Sequence, residues 1–131
     1  MATASFHRLV RQLRHSAEAT SLGELPDQDL LDRLLTGDTL AFEALVWRHG
    51  GLVLSACRRV LADEAAAEDA FQATFLALLQ TARSIRRRNE VGGWLCGVAH
   101  RIAVDALADT LRRRQRERRA ARTEAAPAAP D

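Results

Sequence analysis

Apolar side chains recur every three or four residues along most of this chain, and no segment alternates apolar and polar residues as a β-strand does. The spacing predicts helices, because 3.6 residues make one helical turn. Each such helix buries a single apolar stripe, so several helices must pack around a shared core. We therefore predict an all-α bundle of about four core helices, with an extra amphipathic helix near the N-terminus.

Capping residues, glycines and prolines divide the chain. The expected N-cap residues are Asp27 for the first core helix, Asp38 or Thr39 for the second, and Asp63 for the third. Gly37 ends the first helix, and the Gly50-Gly51 pair bends the second without ending it. A polar loop then runs from residue 83 to 93, and the last helix starts near Trp94. The predicted organisation is an amphipathic extension at residues 1–25, a helical domain at 26–120 and a disordered alanine-proline tail at 121–131.

Length and composition exclude several classes of protein. The 131 residues are 47 % hydrophobic and 27 % charged, which is typical of one globular domain and too short for a two-domain enzyme. No apolar run approaches the ~20 residues that cross a bilayer, so no membrane span is expected. The two cysteines, Cys57 and Cys96, lie within apolar helical patterns and form no disulfide framework. A reducing, cytoplasmic location is the expectation.

Charge is segregated along the chain, although the net charge is only +2. Residues 24 to 70 carry ten acids against four arginines, while residues 83 to 122 carry twelve arginines against four acids. This polarity predicts an acidic surface for a basic partner protein and a basic surface for phosphates. The alternative is that the opposite charges meet each other within the folded domain.

Catalytic and metal-binding motifs are weak. Cys96 and His100 are four residues apart on a helix and could begin a metal site, but no further ligands have suitable spacing. Glu68 and Asp69 are neighbours that point about 100° apart on a helix, so they do not form a hydrolytic dyad. The sequence predicts no cofactor and no metal. A small helical enzyme or metal protein using Cys96 and His100 is the competing class.

The arginine-rich segment before the last helix combines three properties that nucleic-acid binding requires. Arginines supply charge for phosphates, Trp94 supplies a flat surface for stacking, and Asn89 with Arg101 supplies hydrogen-bonding groups for base edges. Stacking on an aromatic side chain suits unpaired strands better than an intact duplex. The alternative is that Trp94 belongs to the core and the arginines form a solvated surface.

The third predicted helix has acids in its first turns and more apolar surface than a four-helix bundle must bury. Asp63, Glu64, Glu68 and Asp69 precede Gln72, Phe75, Leu76 and Leu79. Such a surface suits a partner helix with a basic face. The alternative is an ordinary core helix whose acids favour the positive end of its dipole.

Five segments together are similar to a known family. In chain order they are Asp27-x-x-Leu30-Leu31, Ala41-Phe42-x-x-Leu45-Val46-x-Arg48-His49-Gly50, Cys57-Arg58-Arg59-Val60-Leu61, Ala67–Leu76 and Trp94-Leu95-x-Gly97-Val98-Ala99-x-Arg101. Over about residues 26 to 120 they resemble the second conserved region of extracytoplasmic-function sigma factors, of the sigma-70 family. The runs EDAFQATFLALL and GGWLCGVAHRIA are similar to planctomycete-type members.

The resemblance implies a function in transcription initiation without enzymatic activity. Such a module binds core RNA polymerase, recognises the −10 promoter element and helps to open the strands, and an anti-sigma factor is a possible further partner. Family members dock their third helix on the clamp helices of the largest polymerase subunit. The positions that match this contact are Asp69, Gln72, Phe75 and Leu76.

The same resemblance implies a set of DNA contacts. Family members bind the melted non-template strand through the loop before the fourth helix and the start of that helix. The matching positions here are Arg86, Arg87, Arg88, Asn89, Trp94, His100 and Arg101, while Arg112 and Arg113 would follow upstream phosphates.

This sequence departs from the family pattern at three points. Ala73 follows Gln72 where many members have Gln-Glu, and His100-Arg101 stand where many have Arg-Asn. The family's second helical domain, which binds the −35 element, has no counterpart here, and residues 125 to 130 resemble the start of the linker to it. The chain is then a fragment or a single-region factor. A regulatory decoy that binds polymerase or an anti-sigma factor without starting transcription is the alternative function.

Overall fold

The computed structural model describes Leu22 and residues 24 to 125, with only the backbone of residue 125. This part of the chain contains four α-helices and no strand, which confirms the all-α prediction. The helices are α1 (Asp27–Leu35), α2 (Thr39–Val60), α3 (Glu64–Thr81) and α4 (Val91–Ala125). Two 3₁₀ turns, Ala82–Ser84 and Arg88–Glu90, connect α3 to α4. The predicted amphipathic helix near the N-terminus lies outside the described residues.

The helix ends follow local hydrogen bonding, with one prediction wrong. Asp38 accepts a bond from the Leu40 amide at 3.0 Å, and Asp63 accepts one from the Ala66 amide at 3.3 Å, so both cap their helices. Pro26, not Asp27, occupies the N-cap of α1, and it makes no side-chain cap bond. The Asp27 carboxylate instead bonds to side chains of α2.

Gly37 ends α1 as predicted, and its backbone φ of 89° explains the choice of residue. The Gly37 amide bonds to the Leu34 carbonyl at 3.0 Å, and the Asp38 amide bonds to the Arg33 carbonyl at 3.1 Å. This pair of bonds is a Schellman motif, which satisfies carbonyls at the helix end that would otherwise lack partners. The chain therefore turns sharply from α1 into α2.

The last helix is longer than the sequence pattern indicated. α4 begins at Val91, three residues before the predicted start at Trp94. Val91 is fully buried, so the first residue of α4 already packs into the core. It continues to Ala125, past the predicted domain boundary at residue 120. Arginine and alanine both favour helix, so the exposed second half stays helical without a core to pack against. None of the described helices is long and apolar enough to span a bilayer.

The core lies where α4 packs against α2 and α3, with α1 closing one side against α2. Its largest fully buried side chains are Phe75, Leu30, Leu31, Leu45, Leu78, Leu95, Val53, Val91, Thr74 and Cys57. Thr74 is the one polar residue among the buried side chains described, and its hydroxyl donates to the Ala70 carbonyl at 2.7 Å. Burial of Thr74 therefore leaves no hydroxyl without a hydrogen bond in the core.

Candidate nucleic-acid interface and docking face

One face of α3 is exposed although part of it is apolar. We define the docking face as Asp69, Gln72, Leu76 and Leu79. Asp69 is exposed and Gln72 half-buried, while Leu76 and Leu79 keep 47 % and 46 % of their surface in solvent. The opposite side of α3 supplies the core. Exposed leucines one helical turn apart, next to an acid, suit a partner helix with apolar and basic side chains.

Phe75, which was predicted as a direct polymerase contact, lies in the core and not on the docking face. Its side chain has no exposed surface. The ring packs edge-on against Phe71 and Phe42, with centroid distances of 5.2 Å and 6.4 Å. Phe75 fixes α3 against α2 and supports the docking face from below.

The segment between α3 and α4 presents arginines to solvent. We define the arginine loop as residues 83 to 90. Arg83, Arg86, Arg87 and Asn89 are exposed, whereas Ile85 is 6 % exposed and fixes the loop to the core. Arg87 approaches Glu90 at 3.4 Å but remains 82 % exposed. The loop therefore offers positive charge in a defined position, which is the requirement for phosphate contacts.

Arg88 differs from its neighbours in the arginine loop. Its guanidinium forms an ion pair with Asp32 of α1, and only 26 % of the Arg88 side chain is exposed. This pair joins positions 56 residues apart in sequence. Arg88 therefore pairs with an acid within the domain, which is the alternative to a free basic surface that the charge segregation left open.

Trp94 lies at the junction of the arginine loop and α4. It is half-buried and packs against the core, which agrees with the alternative raised for it from sequence. It also lines an open groove of about 350 Å³ together with Ser84, Ile85, Arg86, Arg87, Glu90 and Gly93. A groove of this size, with an indole and two arginines in its wall, can receive a planar base and the phosphate beside it.

A cluster of charged side chains ties α1 to the start of α4. Asp27 Oδ1 accepts from Arg48 Nη1 at 2.8 Å and lies 3.0 Å from His49 Nε2. The His49 ring lies against Gly92, where an added Cβ would be 3.1 Å from both Cε1 and Nδ1. Gly92 is two residues before Trp94, so this cluster lies close to the backbone that carries the indole.

The remaining predicted DNA contacts lie along α4. His100, Arg101, Arg112 and Arg113 are all exposed. Arg112 pairs with Asp109 one turn earlier. The structure also brings Asp69 and Arg113 to the same groove, of about 680 Å³, between the start of α3 and the middle of α4. One predicted polymerase contact and one predicted DNA contact therefore share a surface.

Cys57 and Cys96 are both free thiols, the first buried and the second half-buried. Burial raises the pKa of the Cys57 thiol, and the nearby Cys96 adds to this shift. Within the described part of the chain, no three His, Cys, Asp or Glu side chains cluster so that they could hold a metal ion.

Sequence reasoning missed the contribution of α1 to this site. The pattern predicts Asp27 as a helix cap and Asp32 as part of an acidic surface, whereas in the structure Asp27 bonds to Arg48 and His49 and Asp32 pairs with Arg88. The segregation of acids and arginines along the chain indicated that such pairs could form, but it did not identify which acid pairs with which basic side chain.

Comparison with known proteins gives consistent results. The Sigma-70 region 2 family matches residues 45–117. The chain is 36 % identical over 90 residues to the ECF RNA polymerase sigma factor SigM of Mycobacterium tuberculosis, an alignment that covers 69 % of this chain and 44 % of SigM. The chain thus spans less than half the length of this curated relative. No solved structure gives a significant match. The fold, the motifs and these matches agree that the chain is a member of the sigma-70 family, with a region 2 domain of the extracytoplasmic-function type.

Proposed function

We propose that this chain binds core RNA polymerase through the docking face and contacts the melted −10 promoter element through the arginine loop and the start of α4. The observation that carries the proposal is the position of the two surfaces. The loop follows α3 directly, so the acidic and apolar face and the basic loop are adjacent in the chain and both exposed. The relative SigM is by its name an RNA polymerase sigma factor.

On the polymerase side, Asp69, Gln72 and Leu76 are the contact residues. Asp69 supplies negative charge for a basic partner helix, Gln72 supplies hydrogen-bonding groups, and Leu76 supplies apolar area. Leu79 extends the same surface by one turn and is 46 % exposed. The clamp helices of the largest polymerase subunit are the proposed partner, and an anti-sigma factor would compete for this face.

On the DNA side, Arg86, Arg87 and Asn89 contact the strand next to the groove that Trp94 lines. His100 and Arg101 continue this surface along α4, and Arg112 with Arg113 follow upstream phosphates. Binding to both partners is the whole proposed activity, with no catalytic step. Because core polymerase is in the bacterial cytoplasm, the proposal places the chain there.

The test is capture of purified bacterial core polymerase by the purified chain, followed by binding of a forked −10 promoter fragment to the complex. Asp69→Ala with Gln72→Ala should abolish capture, because both side chains lie on the docking face. Thr81→Ala is the control, since Thr81 is exposed at the end of α3 and lies about 120° or more around the helix from every residue of that face.

Capture that the double variant loses, together with fork binding by the wild type, supports the proposal. Capture without fork binding overturns the promoter half and leaves a decoy that occupies polymerase. Absence of capture by the wild type overturns the proposal altogether.

A further inference from the structure

We propose that α1 positions the DNA-contacting surface, with Asp32 acting through Arg88 and Asp27 acting through His49. This inference rests on the proposed function, since it assigns positioning residues for the same surface. It also changes the role of Arg88, which becomes a structural partner of Asp32 and not a phosphate contact.

The first contact fixes the arginine loop in its second half. Asp32 lies in the last turns of α1, and its carboxylate pairs with the Arg88 guanidinium. Arg88 opens the 3₁₀ turn Arg88–Glu90, which packs against α1. Arg86 and Arg87 come directly before this turn, so the direction in which they leave the core depends on where Arg88 is held.

The second contact fixes the backbone at the start of α4. Asp27 holds His49 through Nε2 at 3.0 Å, and Arg48 bonds to the same carboxylate oxygen at 2.8 Å. The other side of the imidazole lies against Gly92, at 3.1 Å from where a Cβ would stand. Because Gly92 has no side chain, the ring lies close to the backbone that leads into Trp94.

The two contacts lie in the middle of the DNA-contacting segment. Arg88 and Gly92 are four residues apart, and the buried Val91 lies between them. On their N-terminal side are Arg86 and Arg87, and on their C-terminal side is Trp94, all three of which line one groove. Loops hold a functional geometry when long-range contacts restrict them, and here those contacts come from acids of α1.

The positioning role and the phosphate-contact role of Arg88 predict opposite results for Asp32→Asn. If Arg88 contacts a phosphate, removing Asp32 frees the guanidinium and removes a negative charge, so DNA affinity rises. If Arg88 positions the loop, the same change loosens the loop and affinity falls. A partly exposed ion pair contributes modestly, so we expect a fall of about two- to fivefold, with the salt dependence unchanged.

The experiment compares Asp32→Asn with Asp29→Asn in the full chain. Asp29 lies one turn earlier on α1, so its substitution removes the same charge at a similar place. Forked −10 DNA binding to the polymerase complex is the first measurement, and hydrogen exchange of the amides of residues 86 to 90 is the second. Faster exchange in Asp32→Asn than in Asp29→Asn is expected, and polymerase capture should be the same for both.

Rescue separates positioning from a general change of charge. The exchanged pair Asp32→Arg with Arg88→Asp should restore fork affinity to within about twofold of the wild type, because the ion pair is re-formed with opposite polarity. If Arg88 instead binds a phosphate, this variant removes that interaction, and affinity should fall further.

The outcomes distinguish the inference from the proposed function. Unchanged or higher fork affinity in Asp32→Asn, with unchanged exchange, overturns the positioning role while the proposed function stands. Absence of fork binding by the wild type overturns the proposed function, and faster loop exchange in Asp32→Asn would then still support positioning of the loop by α1.

Discussion

The docking face and the arginine loop follow each other in the chain, but different interactions hold them in place. The docking face is one side of a single helix, so its four residues keep their relative positions through backbone hydrogen bonds alone. The arginine loop has two short 3₁₀ turns, and its geometry depends on buried Ile85 and on acids of α1. A surface on a helix needs only its own helix, whereas a surface on a loop needs the rest of the fold.

We predict that substitutions on the buried side of α3 lower the stability of the fold, whereas substitutions on the docking face weaken polymerase binding. Phe75→Ala removes a fully buried ring and should lower the free energy of unfolding by about 3–5 kcal/mol, as measured by denaturant titration. Leu76→Ala should change it by less than about 0.5 kcal/mol, because nearly half of that side chain is already in solvent. Leu76→Ala should nevertheless weaken polymerase capture.

Similar losses of stability from the two substitutions would contradict this division of α3. If Phe75→Ala gives no cooperative unfolding transition while Leu76→Ala does, the division is supported. Leu76→Ala that captures polymerase as well as the wild type would remove Leu76 from the docking face.

The arginine loop should show its function in the salt dependence of DNA binding. Arg86→Ala with Arg87→Ala should flatten the log–log salt dependence of fork binding by about one unit for each phosphate that is no longer neutralised. Arg59→Ala is the control, since Arg59 is exposed near the end of α2 and outside the arginine loop. A double variant with the slope of the wild type would show that other residues bind the phosphates.

Two glycines of α4 test whether α1 constrains the start of that helix. Gly97→Ala should raise the free energy of unfolding by about 1 kcal/mol, because alanine favours helix and a Cβ there meets no atom within 4 Å. Gly92→Ala should raise the free energy of unfolding by a smaller amount, since its Cβ would stand 3.1 Å from the His49 ring, which bonds to Asp27. Thermal or denaturant unfolding measures both, and equal gains would show that His49 moves freely.

The smallest effect concerns Glu43, which lies on α2 outside both surfaces. Burial raises the pKa of the Glu43 carboxyl, Asp38 adds to the shift, and one of its oxygens is buried without a hydrogen bond to any described residue. The folded state therefore favours the protonated form, and the charged form lowers stability as the pH rises above the ordinary pKa of 4.5.

Glu43→Gln removes this charge, so it should stabilise the fold at about pH 7 and lose that advantage towards about pH 4. Urea titrations at the two pH values measure the difference. Polymerase capture and fork binding should not change. A variant less stable than the wild type at neutral pH would contradict the assignment.

The helices, and the buried side of each, could be predicted from the amino-acid sequence alone. Helical periodicity and caps are local properties, so Gly37, Asp38 and Asp63 delimit helices in the structure as they do in the pattern. The docking face was largely predictable for the same reason. The resemblance assigned Phe75 to the polymerase contact, whereas in the structure both Phe71 and Phe75 face the core.

Which charged side chains pair with each other depends on how the helices pack. Asp27 lies 21 residues from Arg48, and Asp32 lies 56 residues from Arg88. An ion pair depends on the distance between two atoms in space, and no pattern along the chain gives that distance until α1 is packed beside α2 and the loop. Sequence therefore supplied the arginines and the acids, and packing determined which arginines remain exposed for a phosphate and which one is held by an acid.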